Sequence, residues 1–455
     1  MATQTVGPTP SVAPTKEGGV KNRWLTVTVL SMLQLIENSE GGLVNSLFPV
    51  IRADLGLTLA SLGVLTSIGK FARMIFGPIW AILGDRFGRK LLLVVTALWG
   101  VWMVAAGFAQ NFNQLMLLYG IGVLGTVAAE PISNGLVSDI FKPDERGRVY
   151  GTMRSVTGVG SIIMTPLLGQ LAGIPDNQGW RIGMFIMGGV AIVSGLLTWA
   201  FVTDPKHEVT DAQFAQAVGG AEQARPAPKS EGGFRFADVP GLLAIPTVAL
   251  LGVQLIFITS LILFAFQVTF LVDVRKFSTQ EATLITSVFF VGFTISSFIG
   301  GMLGDWFARW NPRIGRVIMM QLYLVAFAIM SYLAMQIPWG NRAIEYVIWF
   351  VFGLVASLGF SGCVLPMVSQ VVLPQYRGTA FALLFSFIQG ALAALVSLAL
   401  GNLAQQYGLQ PVMFWLITVP YAVNAVFWFV FYRTFPRDQE RMQQKLAAQS
   451  AAAGD

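Results

Sequence analysis

Charge is what this chain has least of. Only 11% of its 455 residues are Asp, Glu, Lys or Arg, and 55% are hydrophobic. A water-soluble domain carries about 25% charge, so a single soluble globule is excluded. Cysteine is nearly absent as well: Cys363 stands alone, and no disulfide can form within the chain. His207 is the one histidine, which rules out a histidine proton relay and a His-rich metal site. No nucleophile–base pair, phosphate-binding glycine loop or metal-ligand spacing occurs, so we expect no enzyme, no catalytic residue, no cofactor and no metal. Up to Val20 the chain is polar and Pro/Thr-rich, without the apolar core of a cleavable signal.

What is present is apolar length. Leu91 to Ala109, Ile182 to Val202, Leu242 to Val272 and Val412 to Tyr432 carry no charge, and about 20 such residues cross the hydrocarbon core of a bilayer. Read this way, the sequence predicts an all-α membrane protein of twelve transmembrane helices. The spans fall at 24–50, 58–83, 91–109, 114–139, 147–171, 181–203, 240–272, 279–307, 315–337, 343–372, 378–404 and 410–433. The expected division is a disordered tail at 1–22, a six-helix bundle at 23–203, a linker at 204–239, a second bundle at 240–434 and a tail at 435–455. Within the linker, an Ala/Gln/Glu/Pro-rich stretch cannot bury a core, and 211–225 reads as a surface helix.

The net charge of +6 does not point to nucleic acid, because its placement follows membrane topology. With the first span running from inside to outside, only Arg52, Arg181, Arg275, Lys276 and Arg342 fall in outer loops, and Lys70, Arg73 and Arg154 fall inside spans. The rest of the 29 Lys and Arg lie inside, as the positive-inside rule requires. Both termini are therefore expected in the cytoplasm and the chain in the plasma (inner) membrane.

A segment occurs twice. Ala81-Ile-Leu-Gly-Asp85-Arg86-Phe-Gly88-Arg89-Lys90 follows the second span, and Gly301-Met-Leu-Gly-Asp305-Trp-Phe-Ala-Arg309 follows the eighth. Likewise Pro143-Asp-Glu-Arg146-Gly147 matches Pro374-Gln-Tyr-Arg377-Gly378. Repeated loops in the same order indicate a duplicated bundle. The first loop resembles the signature between helices 2 and 3 of the major facilitator superfamily, with Ala81 where that family usually has glycine. The degenerate second copy, the six-plus-six topology and the long central loop are similar to that family too. The resemblance implies two pseudo-symmetric six-helix bundles working by alternating access. It also implies a cytoplasmic gate in which Asp85, Arg86, Arg89, Arg146, Asp305, Arg309 and Arg377 hold the halves together when the cavity faces outward.

Charges inside spans mark the candidate site, since each costs at least about 2.5–3.5 kcal/mol at the bilayer centre unless paired or wet. Glu37 and Glu40 share one face of helix 1, and Lys70 and Arg73 share one face of helix 2, each at i, i+3 spacing. From the 1.5 Å rise, the two acids lie roughly 20–24 Å above Trp24 and the two bases roughly 18–22 Å above Asp85. Glu130 and Arg154 have matched heights on helices 4 and 5 and form a second expected pair. A carboxylate alternating between a cation and water can carry a proton, so Glu40 and Glu37 are the proton-coupling candidates. Lys70, Arg73, Glu130 and Arg154 are the substrate-binding candidates. Phe264, Phe266, Phe270, Phe289, Phe290, Phe360 and Phe381 could give the second half an apolar wall.

Leu35-Ile-Glu37-Asn-Ser-Glu40 through Phe48-Pro49-Val-Ile51 also resembles the first helix of spinster-type lysophospholipid transporters. Glu40 falls at that family's proton-coupling acid, while Gly41 stands where the family has a base. The expectation is a proton-coupled secondary transporter of an amphiphilic anion or zwitterion such as a lysophospholipid. A transporter or exporter of small organic anions or drugs, a uniporter and a non-transporting receptor remain open. Expected partners are the bilayer, a small-molecule or lipid substrate and protons, with the protein a monomer.

Overall fold

A computed structural model describes residues 23–141, 143–202, 236–258, 260–373 and 376–454. Every regular element among them is helical. In the first half, α1 (Arg23–Leu55) and α2 (Leu59–Phe87) are continuous. α3 joins Arg89–Leu98 to Gly100–Ala106, and α4 joins Phe112–Thr126 to Ala129–Ile140. α5 (Pro143–Gln170) and α6 (Gly179–Phe201) complete the half. The second half holds α7 (Pro246–Gln254 and Ser260–Asp273), α8 (Thr279–Trp310) and α9 (Gly315–Gln336). α10 runs as Arg342–Ala356, Phe360–Val364 and Leu365–Val371, and α11 as Arg377–Phe381, Ala382–Ile388 and Gln389–Tyr407. α12 starts at Leu409–Met413 and ends in Phe431–Gly454. Nine helices among the described residues are long and apolar enough to span a bilayer. The acid-bearing α1 and the interrupted α7 and α10 make twelve.

The expected uninterrupted seventh span is broken twice. Ile245 is extended and Pro246 opens a new helix, as a residue with no amide hydrogen does best in a first turn. At Leu255–Ile258 the amides bond three residues back instead of four, with no Gly or Pro there to announce it. In α10 and α11, Phe360–Val364 and Ala382–Ile388 are π-helical turns. The last span, expected to stop at 433, continues through the predicted tail to Gly454. There Asp438, buried, accepts from the Thr247 amide at 2.8 Å and ties the end of the chain to the start of α7. The 1–22 tail, most of the linker and its expected surface helix lie outside the described residues.

The second half has one large aromatic-rich core, with Phe289, Trp349 and Phe352 at its centre. The first half has two smaller clusters, around Trp180 and Leu43 and around Leu30 and Leu136. The halves meet at the end away from the chain termini. Arg52 on α1 grips Asp273 on α7 with both guanidinium nitrogens, Nη1 at 2.6 Å from Oδ2. On α2, Ser67 Oγ donates to the Ala394 carbonyl of α11 at 2.8 Å. A Cβ on Gly63 would stand 2.6 Å from the Ser397 carbonyl, so glycine is what lets these two backbones touch. At the termini end, three ion pairs among the described residues lie within one half: Arg23 with Glu145, Arg316 with Asp305 and Arg313 with Glu440. The halves are joined at one end, and a cavity runs between them toward the other.

Candidate functional site

That cavity, about 590 Å³, is charged on one wall and apolar on the other. The first half contributes Glu37, Glu40, Lys70, Arg73 and Glu130, with Tyr119, Thr126 and Asn134 from α4. The second half contributes Phe264, Ala265, Phe385, Gly390 and Ala393, with Ser386 as its one polar side chain. It extends along α2 to Ala81 on the termini side. The asymmetry expected from the sequence is there, though with different aromatics. Phe264 lines the cavity, but Phe266, Phe270 and Phe289 are fully buried in the core, and Phe385 was not foreseen.

Arg73 is the hub. Its Nη2 donates to Glu37 Oε1 at 3.0 Å and its Nη1 to Glu130 Oε2 at 2.9 Å. The pairing of Glu130 with Arg154 is therefore corrected. Met153 is buried in the bundle, and a helix turns about 100° per residue, so Arg154 points elsewhere and is exposed with no ion pair among the described residues. Equal heights did not imply facing sides. Nor do the four charges of α1 and α2 form two pairs. Lys70 lines the cavity without an ion-pair partner among the described residues.

Glu40 is 2% exposed, and among the described residues neither carboxyl oxygen makes an ion pair or a hydrogen bond of good geometry, the Thr126 hydroxyl being the polar group beside it; Glu37 Oε2 is likewise unbonded there. Behind the two acids lies a void of about 20 Å³, walled by Thr96 of α3, Thr126 of α4 and Ala191 of α6. A volume above about 10–15 Å³ admits one water. Tyr119 and Thr126, which the sequence reading missed, are polar neighbours of Glu40. They sit two turns apart on α4, and their only sequence signal is polarity on the helix that also bears Glu130.

The expected gate residues are dispersed at the termini end. Arg86 is exposed with its guanidinium 5.4 Å from the Phe87 ring. Arg89 lies against Gly135 of α4. Asp305 accepts from Arg316 at 2.8 Å, and the same guanidinium reaches the Gly362 carbonyl. Arg309 is exposed, and Arg377 Nε donates to the Val372 carbonyl at 3.3 Å. None of these contacts crosses between halves. The side chains of Asp85 and Arg146 lie outside the described part of the structure.

Twelve helices in two halves around a central cavity define a transporter fold, and the comparisons agree. The Major Facilitator Superfamily model matches residues 30–305 and 248–453. The chain belongs to that superfamily and is an integral membrane protein of the transporter class. It is 26% identical over 392 residues, 84% of either chain, to the "Probable 4-methylmuconolactone transporter" of Cupriavidus pinatubonensis. It is 28% identical over 170 residues, 37% of this chain, to the Quinolone resistance protein NorA of Staphylococcus aureus, of which that stretch covers 43%. A bacterial homologue of the human lysosomal transporter Spinster, solved in an inward-facing, unoccupied conformation, superposes with a TM-score of 0.73. It is 20% identical and covers 92% of this chain and 99% of its own.

Proposed function

We propose that the protein is a proton-coupled, alternating-access transporter of organic anions that carry an apolar body. What supports this reading above all is the division of unpaired charge in the cavity. Both line the same cavity, but Lys70 is half-buried and has no ion-pair partner among the described residues, whereas Glu40, also without an ion pair there, is only 2% exposed at the inner wall. A solute entering the cavity meets a free positive group first. Burying an ionised carboxylate without a partner costs several kcal/mol, and taking up a proton at Glu40 removes that cost. Anion and proton together leave the net charge of the cavity unchanged, the electrostatic condition for symport. Arg73, already held by two carboxylates, positions Glu37 and Glu130 and leaves Lys70 to bind the substrate. Glu37, linked to Glu40 across the small void, is the second proton-carrying group.

The positive-inside distribution supports a cytoplasmic termini side, and with the plasma membrane as the proposed site of action this arrangement is read as inward-facing. In the opposite state, Asp85, Arg86, Arg89 and Arg146 would meet Asp305, Arg309 and Arg377 across the closing cytoplasmic end. The relative named for 4-methylmuconolactone, a lactone bearing a carboxylate, supports a compact anion. The resemblance of α1 to spinster-type transporters supports a second reading, the same chemistry on a lysophospholipid.

The experiment is uptake into proteoliposomes under an imposed pH gradient, with labelled 4-methylmuconolactone, lysophosphatidylcholine and norfloxacin compared. Accumulation of the carboxylate that collapses on adding a protonophore is expected. Flux indifferent to pH would mark a uniporter, binding without flux a receptor, and preference for norfloxacin a drug exporter; each would overturn the proposal.

A further inference from the structure

Several interruptions break regular helix in the second half, and three of them come together near one place. Leu255–Ile258 in α7 and Ser357–Val364 in α10 border a chamber of about 200 Å³, and the residue that follows the π-helical turn of α11 completes its wall. Ile258 comes from the first, Ser357 and Phe360 from the second, and Gln389 directly follows the third. A further π-helical turn, Phe414–Thr418 in α12, lies outside it. Irregular backbone at membrane depth persists only where protein buries it or a cavity needs it, and π-bulges concentrate at functional positions.

The chamber is apolar almost throughout. Tyr323 spends its hydroxyl on the Ala356 carbonyl at 3.2 Å, and Ser357 is bonded to Ser297 at 2.9 Å. Gln389 is left as the side-chain amide in the wall. Phe264 forms the partition with the charged cavity, lining both spaces and standing edge-on to Phe293 at 5.4 Å. Beside Gln389, Gly390 faces the charged wall, where a Cβ would sit 3.4 Å from Met74. Met74 is one turn of α2, about 5.4 Å, from Lys70. Phe264 and the Gln389–Gly390 step thus bring the chamber wall up to the cavity that Lys70 lines.

We propose that this chamber is the second subsite of the transported anion: Lys70 holds the carboxylate, and the chamber behind Phe264 receives a single ring-sized apolar group. A dry cavity of about 150 Å³ binds benzene, so one of about 200 Å³ takes a six-membered ring with a small substituent and has no room for a long acyl chain. The substrate class is therefore aryl or cycloalkyl carboxylates. This rests on the anion reading above and narrows it.

The test is binding to the purified full-length protein, measured by calorimetry with acetate, phenylacetate, 3-phenylpropionate and 1-naphthylacetate. A buried ring should tighten binding about ten- to hundredfold over acetate. Ala356→Leu, which fills the chamber, should erase that gain and leave acetate unchanged. Phe360→Ala, at a position 39% exposed and so able to fold if the first variant does not, should shift preference toward the naphthyl acid. A structure with 4-iodophenylacetate should place the iodine between Phe293 and Phe360. If both variants bind the series as the wild type does, or the iodine lies elsewhere, the chamber proposal falls while the anion reading stands. If Lys70→Ala binds every acid as the wild type does, the anion reading falls and the chamber proposal with it.

Discussion

The two halves share a topology but build their walls of the cavity differently. The first half places its chemistry in side chains, with Glu37, Glu40, Lys70, Arg73 and Glu130 on α1, α2 and α4. The second half has no charge in its cavity wall and places irregularity in the backbone, in α7, α10 and α11. Side chains that titrate need fixed distances, which the ion pairs of Arg73 with Glu37 and Glu130 help to hold. A space shaped for an apolar body needs room, and displacing turns of helix provides it without any polar group.

Glu40→Gln tests the charged half hardest. It should reduce pH-driven uptake at least about tenfold, to background, while the protein remains monodisperse; undiminished uptake would remove Glu40 from coupling. Next comes Lys70→Ala, expected to weaken anion binding about tenfold, with Lys70→Arg retaining most of it. Such a loss corresponds to about 1.4 kcal/mol, a modest value for one charge-assisted contact. Arg73→Met should leave Glu37 buried without its cation and lower the thermal midpoint by roughly 4–8 °C. Arg73→Met with Glu37→Gln should recover part of that, and no recovery would mean the pair is not the cause. At the joined end, Asp273→Asn should shift the population toward the opposite conformation, read by spin-label distances between the halves. Cys363 is fully buried, so introduced cysteines can be labelled against little background. Arg154→Gln should change uptake least, within about twofold, because its guanidinium bonds to neither acid.

Much of the first half was legible from sequence and little of the second. Charged residues in apolar spans stand out, and the rise per residue gave their heights. Their rotation about each helix axis did not follow, which is why Glu130 was matched to Arg154 when α4 turns it toward Arg73. The second interruption of α7 is written in ordinary apolar residues: Leu255, Ile256, Phe257 and Ile258 carry none of the usual breakers, whereas Pro246 marks the first and Gly359 and Gly362 stand in that of α10. Tertiary packing decides the unmarked one. For the same reason Phe264 and Phe360 could be named as wall material, but not told apart from Phe266 and Phe289, which fill the core.

The extension of α12 has a mechanical consequence. Were the two halves to rock as proposed, a pull on the first helix of the second half would reach its end, and a helix held only by apolar contacts can be peeled away there. Asp438 fastens that helix, through the Thr247 amide, to the last helix of the same body. The second half is in effect a hoop clasped at its opening, so a load arriving through the linker is spread over six helices and turns the half as one piece.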